Sequence, residues 1–310
     1  MQTRKLGKNG PEITVIGLGT WAIGGPWQFG WGEQDDRDSI LTIQKSLDLG
    51  INWVDTAPVY GFGHSEEIVC EALKGKRDKI ILATKCGMVW NDRGRVNINL
   101  KPSSIRREIE DSLRRLDTDY VDLYQFHWPD PKTDVEESWQ EMIKLKEEGK
   151  VRYVGVSNFD VPLLEKCMEI HHVDSLQPPY SMLERDVEKD ILSYCEKNGI
   201  GVIAYSPMQA GLLTGKFDKS RLAPDDWRHK DQHFKEPNLS RNLEFVESLK
   251  PVAERHGKSI ANLAVAWVLA HPAITSAIVG ARNTDQAEEN VLAAEIKLSE
   301  DDLNEIAQKL

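Results

Sequence analysis

Four side chains able to move protons stand where apolar runs of this 310-residue chain give way to loops. The stretch WVDTAPVYGFGHSEE, residues 53–67, leads from two apolar residues into Asp55, then through a Pro-containing bend to Tyr60 and a Gly-rich turn. Lys85 closes the run KIILATK, and His127 closes YVDLYQFH. Singly, each has an ordinary structural reading: Asp55 as a turn cap, Lys85 as an exposed strand-end cation, His127 as an imidazole bonded to backbone, Tyr60 as a packing residue. Together, on three consecutive strand ends, they suit one reaction. A phenol ionises near ~10, too high to exchange protons readily at neutral pH. A neighbouring ammonium is expected to lower that pKa, with Asp55 holding the ammonium in place and charged. A histidine beside the phenol can orient a carbonyl oxygen or relay a proton. Such a group can protonate the alkoxide formed when hydride reaches an aldehyde or ketone.

Short β-rich runs alternate with longer amphipathic segments, and these must position the four groups. Strands are expected at 15–19, 51–55, 79–85, 120–127, 151–157, 175–180, 201–207 and 276–280. In SSIRREIEDSLRRLD the residues Ile105, Ile109, Leu113 and Leu116 draw one apolar helical stripe, with Ser103 or Ser104 as the expected N-cap. VEESWQEMIKLKEEGK repeats the pattern and ends at Gly149. Eight strand–helix units call for parallel pairing and close a (β/α)8 TIM barrel at about this length. An open doubly wound sheet is the competitor, but GLGTWAIGG matches its G-x-G-x-x-G fingerprint poorly. The turn Asn9-Gly10-Pro11 predicts an N-terminal β-hairpin beneath the barrel. A long insertion separates strands seven and eight, and its charged segment 217–240 shows little periodicity, which in a compact domain marks a functional or disordered loop.

The formal net charge of −11 argues against nucleic acid or an anionic membrane as a partner. No run of apolar residues is long enough to span a bilayer, and the N-terminus lacks a signal-peptide core. Cys70, Cys86, Cys167 and Cys195 are scattered, which predicts reduced thiols in a cytoplasmic protein. A metal-dependent barrel hydrolase would need clustered histidines at strand ends; none is spaced that way, so no metal is expected.

The run 53–67 resembles the Asp/Tyr signature of the aldo-keto reductases; LATK carries that family's lysine and LYQFHWPD its histidine. KVRYVGVSNF and IVGARNTDQAEEN resemble its cofactor-binding segments. The resemblance, to NADP(H)-dependent members of the short prokaryotic type, runs over nearly the whole chain. It implies one barrel domain over 1–310 that binds NADP(H), with NAD(H) the lesser alternative. It also implies Tyr60 as acid/base, assisted by Asp55, Lys85 and His127. A small carbonyl or sugar substrate is implied, and a monomer is expected. The sequence stops at Leu310, short of the C-terminal loop that covers the pocket in many members, so a more open pocket or one built from other loops is expected. The alternative function within the family is a cofactor-binding sensor of slow turnover, like its channel β-subunits.

A nicotinamide must lie against the strand ends. Ser157, Asn158 and Gln177 offer donors and acceptors for its carboxamide, and Tyr205 a ring to stack on. Gly19, Thr20, Trp21 and Asp55 border the same expected groove. Backbone and one cation for the pyrophosphate are expected from Ser206, Pro207, Leu212, Gly215 and Lys216, with Arg228 as a further contact from the long loop. Beyond Gly280, Arg282 precedes a helix start at which Asn283 and Gln286 are spaced like a capping box; an arginine fork there favours a 2′-phosphate. Gln286, Glu289 and Asn290 are expected near adenine. Trp21, Trp27, Trp31, Trp90 and Trp128 crowd the loops of one face and, with Tyr60 and His127, form the expected substrate pocket.

Overall fold

Eight short strands pair in parallel and in sequence until the last meets the first. They are β1 (Ile16–Gly19), β2 (Trp53–Asp55), β3 (Ile81–Cys86), β4 (Val121–Phe126), β5 (Val151–Ser157), β6 (Ser175–Gln177), β7 (Gly201–Ala204) and β8 (Ile274–Gly280). The computed structural model describes residues 1–27 and 29–310. Parallel neighbours need a crossover, and α1 (Asp36–Asp48), α2 (His64–Ala72), α3 (Pro102–Leu116), α4 (Val135–Glu147), α5 (Val161–Ile170) and α6 (Ile191–Asn198) supply the first six. The fold is the (β/α)8 barrel.

The barrel interior tolerates little bulk. A Cβ on Gly17 would lie 2.0 Å from the Trp53 indole, so a glycine on β1 admits the tryptophan of β2. The expected N-terminal hairpin is present as Thr3–Lys5 paired antiparallel with Glu12–Thr14. Its Leu6 and Ile13 join Trp53, Ala83, Leu123, Ile203 and Ile278 in one buried cluster that plugs the barrel floor.

Several local expectations shift for identifiable reasons. Helix α3 starts at Pro102 with Lys101 at the N-cap position, so Ser103 and Ser104 fall inside its first turn. Proline at the first helical position has the helical φ preset and no N–H to satisfy, which moves the start forward. Helix α4 is capped by Asp134, and Gly149 follows its end at φ 78. Strand β6 stops at Gln177 because Pro178 and Pro179 donate no ladder hydrogen bond. A second hairpin, Met88–Trp90 with Val96–Ile98, follows β3.

The insertion after β7 is built from short helical turns, Gln209–Thr214, Lys219–Arg221, Trp227–Lys230 and Gln232–Phe234. Helices α7 (Asn238–Ser248), α8 (Lys250–Arg255) and α9 (Ile260–Ala270) complete it. Its turns carry a small core in which Leu212, Phe234 and Leu239 pack with Phe217. After β8 come α10 (Thr284–Val291) and α11 (Glu300–Ala307). Among the described residues no helix is long and apolar enough to cross a membrane.

Two buried carboxylates hold β3 from outside. Glu66 of α2 accepts from Thr84 Oγ1 at 2.7 Å and pairs with Arg115 at 2.6 Å. Glu108 of α3 accepts from the Gly87 N–H at 2.8 Å and from Ser104 Oγ at 2.9 Å. Burial pushes the Glu108 carboxyl up to about 7, against the lowering by those two donors. An acid whose folded pKa exceeds its unfolded value of 4.5 takes up a proton on folding. Its stabilising contribution is complete below that unfolded value and is lost as pH rises through the folded one. Glu108→Gln keeps a carbonyl oxygen for Gly87 and removes the titration. The variant should therefore gain on the wild type, by up to ~3 kcal/mol, between about pH 5 and about pH 8. Urea unfolding at both pH values measures this; an unchanged difference between the two proteins would contradict it.

Candidate active site

The strand registers bring three of the four titratable groups to one inner face. Asp55 pairs with Ala83, so Lys85 lies two residues further along β3 with its side chain on the same side. Lys85 in turn pairs with Gln125, and His127 lies two residues beyond, just past β4. The stagger of a barrel turns these offsets into an arc around its mouth. Tyr60 comes from the loop after β2.

Lys85 is fully buried. Its Nζ donates to Asp55 Oδ1 at 2.5 Å, to the Thr56 carbonyl at 3.0 Å and to Tyr60 Oη at 3.2 Å. All three ammonium protons are therefore engaged, and the side chain has no alternative arrangement. Asp55 Oδ2 accepts from Gln177 Nε2 at 2.9 Å, so the carboxylate also ties β2 to β6 across the barrel. Because Tyr60 Oη accepts from Lys85, its own proton is left to point elsewhere. The His127 ring meets the Tyr60 ring edge-on, with centroids 5.7 Å apart.

Burial and charge oppose each other here. Burial raises the Tyr60 pKa above 10.0, although the Lys85 ammonium pulls it down. The expected net lowering does not occur: in a site this dry, losing solvation of the phenolate outweighs one cation that is already shared with Asp55. Burial also works to lower the Lys85 pKa, but Asp55 and Tyr60 together outweigh it and raise the value, so the ammonium stays charged. His127 is held well below 6.5, by burial first and Lys85 second, and is neutral at pH 7. The site thus combines a neutral phenol, a fixed cation and a neutral imidazole.

Beside this group, Ser157 Oγ donates to the Gln177 carbonyl at 2.8 Å. Asn158, at φ 63, donates to the His127 carbonyl at 3.0 Å and accepts from Tyr205 Oη at 2.9 Å. Thr20 is buried at the end of β1 and donates to the Asp55 carbonyl at 3.1 Å; Gly19 pairs with both Gly280 and Asp55. Ser206 leads, at φ 54, into the turn that carries Ala210 at φ 49 and Gly211 at φ 92. The side chain of Leu212 is buried in the insertion core, which leaves only its backbone to face a ligand. Gly215 and Lys216 are exposed beyond it.

Asn283 caps α10, accepting from the Gln286 N–H at 2.9 Å. The expected reciprocal bond goes one residue earlier, from the Arg282 N–H to Gln286 Oε1 at 2.9 Å. The Arg282 guanidinium donates to Gln34 Oε1 at 2.9 Å and to the Glu33 carbonyl. Asn290 is turned inward, donating to the Gly280 carbonyl at 3.0 Å, so it ties α10 to β8 rather than facing outward. Glu289 accepts from Asn262 through its backbone carbonyl.

Tryptophans wall the mouth. Trp21 stacks near Tyr60 with centroids 6.5 Å apart, and Trp27 lies 6.1 Å from the same ring. Trp227, from the β7 insertion, stacks on Trp21 at 5.7 Å, and Arg228 sits over the Trp31 ring at 4.9 Å. Arg228 is also bound by Asp226 through two hydrogen bonds, which turns its charge toward the protein. The indole N–H groups of Trp21, Trp27, Trp31 and Trp227 are buried without a hydrogen-bond partner among the described residues. Such donors suit a ligand that carries oxygen acceptors. Trp128, next to His127, is 40% exposed. Trp227 was absent from the sequence-based pocket; its only signal was one large aromatic in the charged run PDDWRHKD. Among the described residues no group of His, Cys, Asp or Glu is arranged to hold a metal ion.

The tyrosinate absorbance difference between wild type and Tyr60→Phe should appear only above pH 10, since burial raises this phenol. A step near neutrality would show that Lys85 prevails instead.

Residues 15–310 match the Aldo/keto reductase family. The chain is 42% identical over 292 residues to Aldo-keto reductase YhdN of Bacillus subtilis, covering 93% of this chain and 87% of that protein. It is 37% identical over 328 residues to the NADH-specific methylglyoxal reductase of Escherichia coli, covering 100% of this chain and 99% of the relative. The structure of glycerol dehydrogenase AKR11B4 from Gluconobacter oxydans superposes with a TM-score of 0.89 at 41% identity, covering 99% of this chain and 94% of that one. With its barrel, its buried lysine and these relatives taken together, the chain belongs to the aldo/keto reductase family.

Proposed function

We propose that this protein reduces aldehyde and ketone carbonyls to alcohols, reversibly, with NADP(H). The observation that carries this reading is the Lys85 ammonium 3.2 Å from Tyr60 Oη, with its two other protons already taken. When bound, the nicotinamide supplies the hydride. The chain's own residues do the rest. Tyr60, neutral at working pH, donates its proton to the substrate oxygen as negative charge develops there. Lys85 stabilises the phenolate left behind, Asp55 keeps Lys85 charged, and the neutral His127 ring orients the oxygen. In the reverse direction the phenolate recovers the proton.

The donor set at the strand ends fits a nicotinamide nucleotide. Ser157, Asn158 and the free oxygen of Gln177 would meet the carboxamide and Tyr205 the ring. The left-handed turn after Ser206, with Lys216, would meet the pyrophosphate. Arg282 beside the capped start of α10 favours a 2′-phosphate, hence NADP(H); its hydrogen bonds to Gln34 and Glu33 preset the fork. The Escherichia coli relative is named an NADH-specific methylglyoxal reductase and a matched structure is that of a glycerol dehydrogenase, so NAD(H) is the alternative cofactor that the Arg282 test below distinguishes. Small oxygen-bearing carbonyls are the substrates we assign, in keeping with the unpartnered indole donors at the mouth.

Tyr60→Phe should lower turnover with any carbonyl substrate by at least ~100-fold while cofactor affinity stays nearly unchanged, because only the proton source is lost. Steady-state kinetics with cofactor titration checks this, and near-normal turnover would sink the assignment. Arg282→Ala should weaken NADPH far more than NADH. A charge-assisted hydrogen bond is worth roughly 1.5–3 kcal/mol, so the selective loss is on the order of 10- to 100-fold. Fluorescence titration of both cofactors decides it; equal weakening would mean that Arg282 does not read the 2′-phosphate.

A further inference from the structure

The aromatic contacts do not stop at the mouth. From Tyr60 they run to Trp27 at 6.1 Å, from Trp27 to Phe62 at 6.2 Å, and from Phe62 to Trp90 at 5.5 Å. This path ends at a cleft of about 320 Å³ lined by Phe62, Trp90, Asn91, Asp92 and Gly94. Its size is at the small end for sites that take small molecules.

Phe62 adopts φ 57 between Gly61 at φ 63 and Gly63 at φ 105. A bulky side chain is disfavoured in the left-handed region, where glycine is at ease. The phenyl ring is nonetheless present and held on several sides. Trp27 and Trp90 flank it, and Gly94 lets the hairpin tip approach so closely that a Cβ there would lie 3.3 Å from the ring.

The tip supplies the polar half of the cleft. Asn91 Oδ1 is occupied by the N–H groups of Arg93 and Arg95, at 3.0 and 3.1 Å, which leaves its amide nitrogen as a donor. The Asp92 carboxylate takes no hydrogen bond or ion pair from the described residues, and it offers only acceptors. Aromatic faces beside one carboxylate and one amide donor complement a ring with C–H faces and hydroxyl edges. Asp92 disfavours an anion.

We propose that the Phe62–Trp90 cleft is an outer subsite for an uncharged sugar ring carried on the carbonyl substrate. This rests on the carbonyl-reductase reading above. The reacting oxygen meets Tyr60, and the distal ring lies on Trp90 and Phe62 with its hydroxyls on Asp92 and Asn91. Trp90 and Phe62 then act on specificity and not on the chemical step.

The test compares glyceraldehyde, (β-D-glucopyranosyloxy)acetaldehyde and phenoxyacetaldehyde as substrates of the full-length protein. Variants are Trp90→Ala, Asp92→Asn and Phe62→Gly, the last of which suits the backbone at that position. For the glucosyl aldehyde, kcat/KM should fall about tenfold in Trp90→Ala and in Phe62→Gly, and severalfold in Asp92→Asn. In Asp92→Asn glyceraldehyde should stay within about twofold, and in Trp90→Ala and Phe62→Gly, whose side chains lie close to the Tyr60 loop, the glucosyl aldehyde should lose severalfold more than glyceraldehyde. Equal losses for glyceraldehyde and the glucosyl aldehyde would overturn the subsite. Phenoxyacetaldehyde as sensitive as the glucosyl aldehyde, with Asp92→Asn silent, would overturn the sugar assignment. Methyl β-D-glucopyranoside binding, read by saturation-transfer NMR, tests the cleft without turnover. A signal in wild type that vanishes in Trp90→Ala supports the subsite even where no carbonyl is reduced, and no signal in wild type overturns it.

Discussion

A fully buried ammonium is tolerable only when its charge and each of its protons are met, and Lys85 imposes that condition on the structure around it. Asp55 must end β2 opposite Ala83, the carbonyl of Thr56 must turn inward, and the phenol of Tyr60 must come within reach. The same demand reaches across the barrel, because the second oxygen of Asp55 is satisfied by Gln177 on β6. On the outer side of β3, Thr84 is anchored to Glu66, and the turn at Gly87 to Glu108. The alternation of a strand thus gives Lys85 to the interior and its neighbour to a second layer of buried carboxylates. A displaced lysine would leave both charges unpaired in a dry site, which is why the position is so heavily determined.

The polar residues closing apolar runs made much of this legible beforehand. Asp55, Lys85 and His127 each close a short apolar run of the kind a buried parallel strand makes, and eight such runs at this length favour closure. What stayed hidden depends on contacts between residues far apart in sequence. Gln177 reads only as a partner for the cofactor carboxamide, and its bond to Asp55 emerges once β6 is placed across from β2. Trp227 reads as one aromatic in a charged loop until the insertion folds back onto Trp21. The direction of the Tyr60 shift also escaped sequence, because burial is a property of the whole mouth, whereas the neighbouring lysine can be read from spacing. The helix start at Pro102 was decided by backbone geometry over side-chain capping.

The mouth shows how one barrel can be finished by unrelated segments. Its walls come from the first loop, from the hairpin after β3 and from the insertion after β7, and the pieces meet through aromatic rings. Rings cover apolar area while leaving their N–H groups directional, so a wall of tryptophans can exclude water and still present donors inward. Arg228 spans the same seam, with its charge taken by Asp226 and its flat face on Trp31.

The hairpin beneath the barrel has a consequence for traffic. Leu6 and Ile13 seat among Trp53, Leu123, Ile203 and Ile278 and fill the floor with buried apolar side chains. A packed floor makes the chamber a cul-de-sac: on the proposed reading, substrate, product and displaced water all pass the tryptophans that surround Tyr60, so these rings bear on departure as much as on arrival.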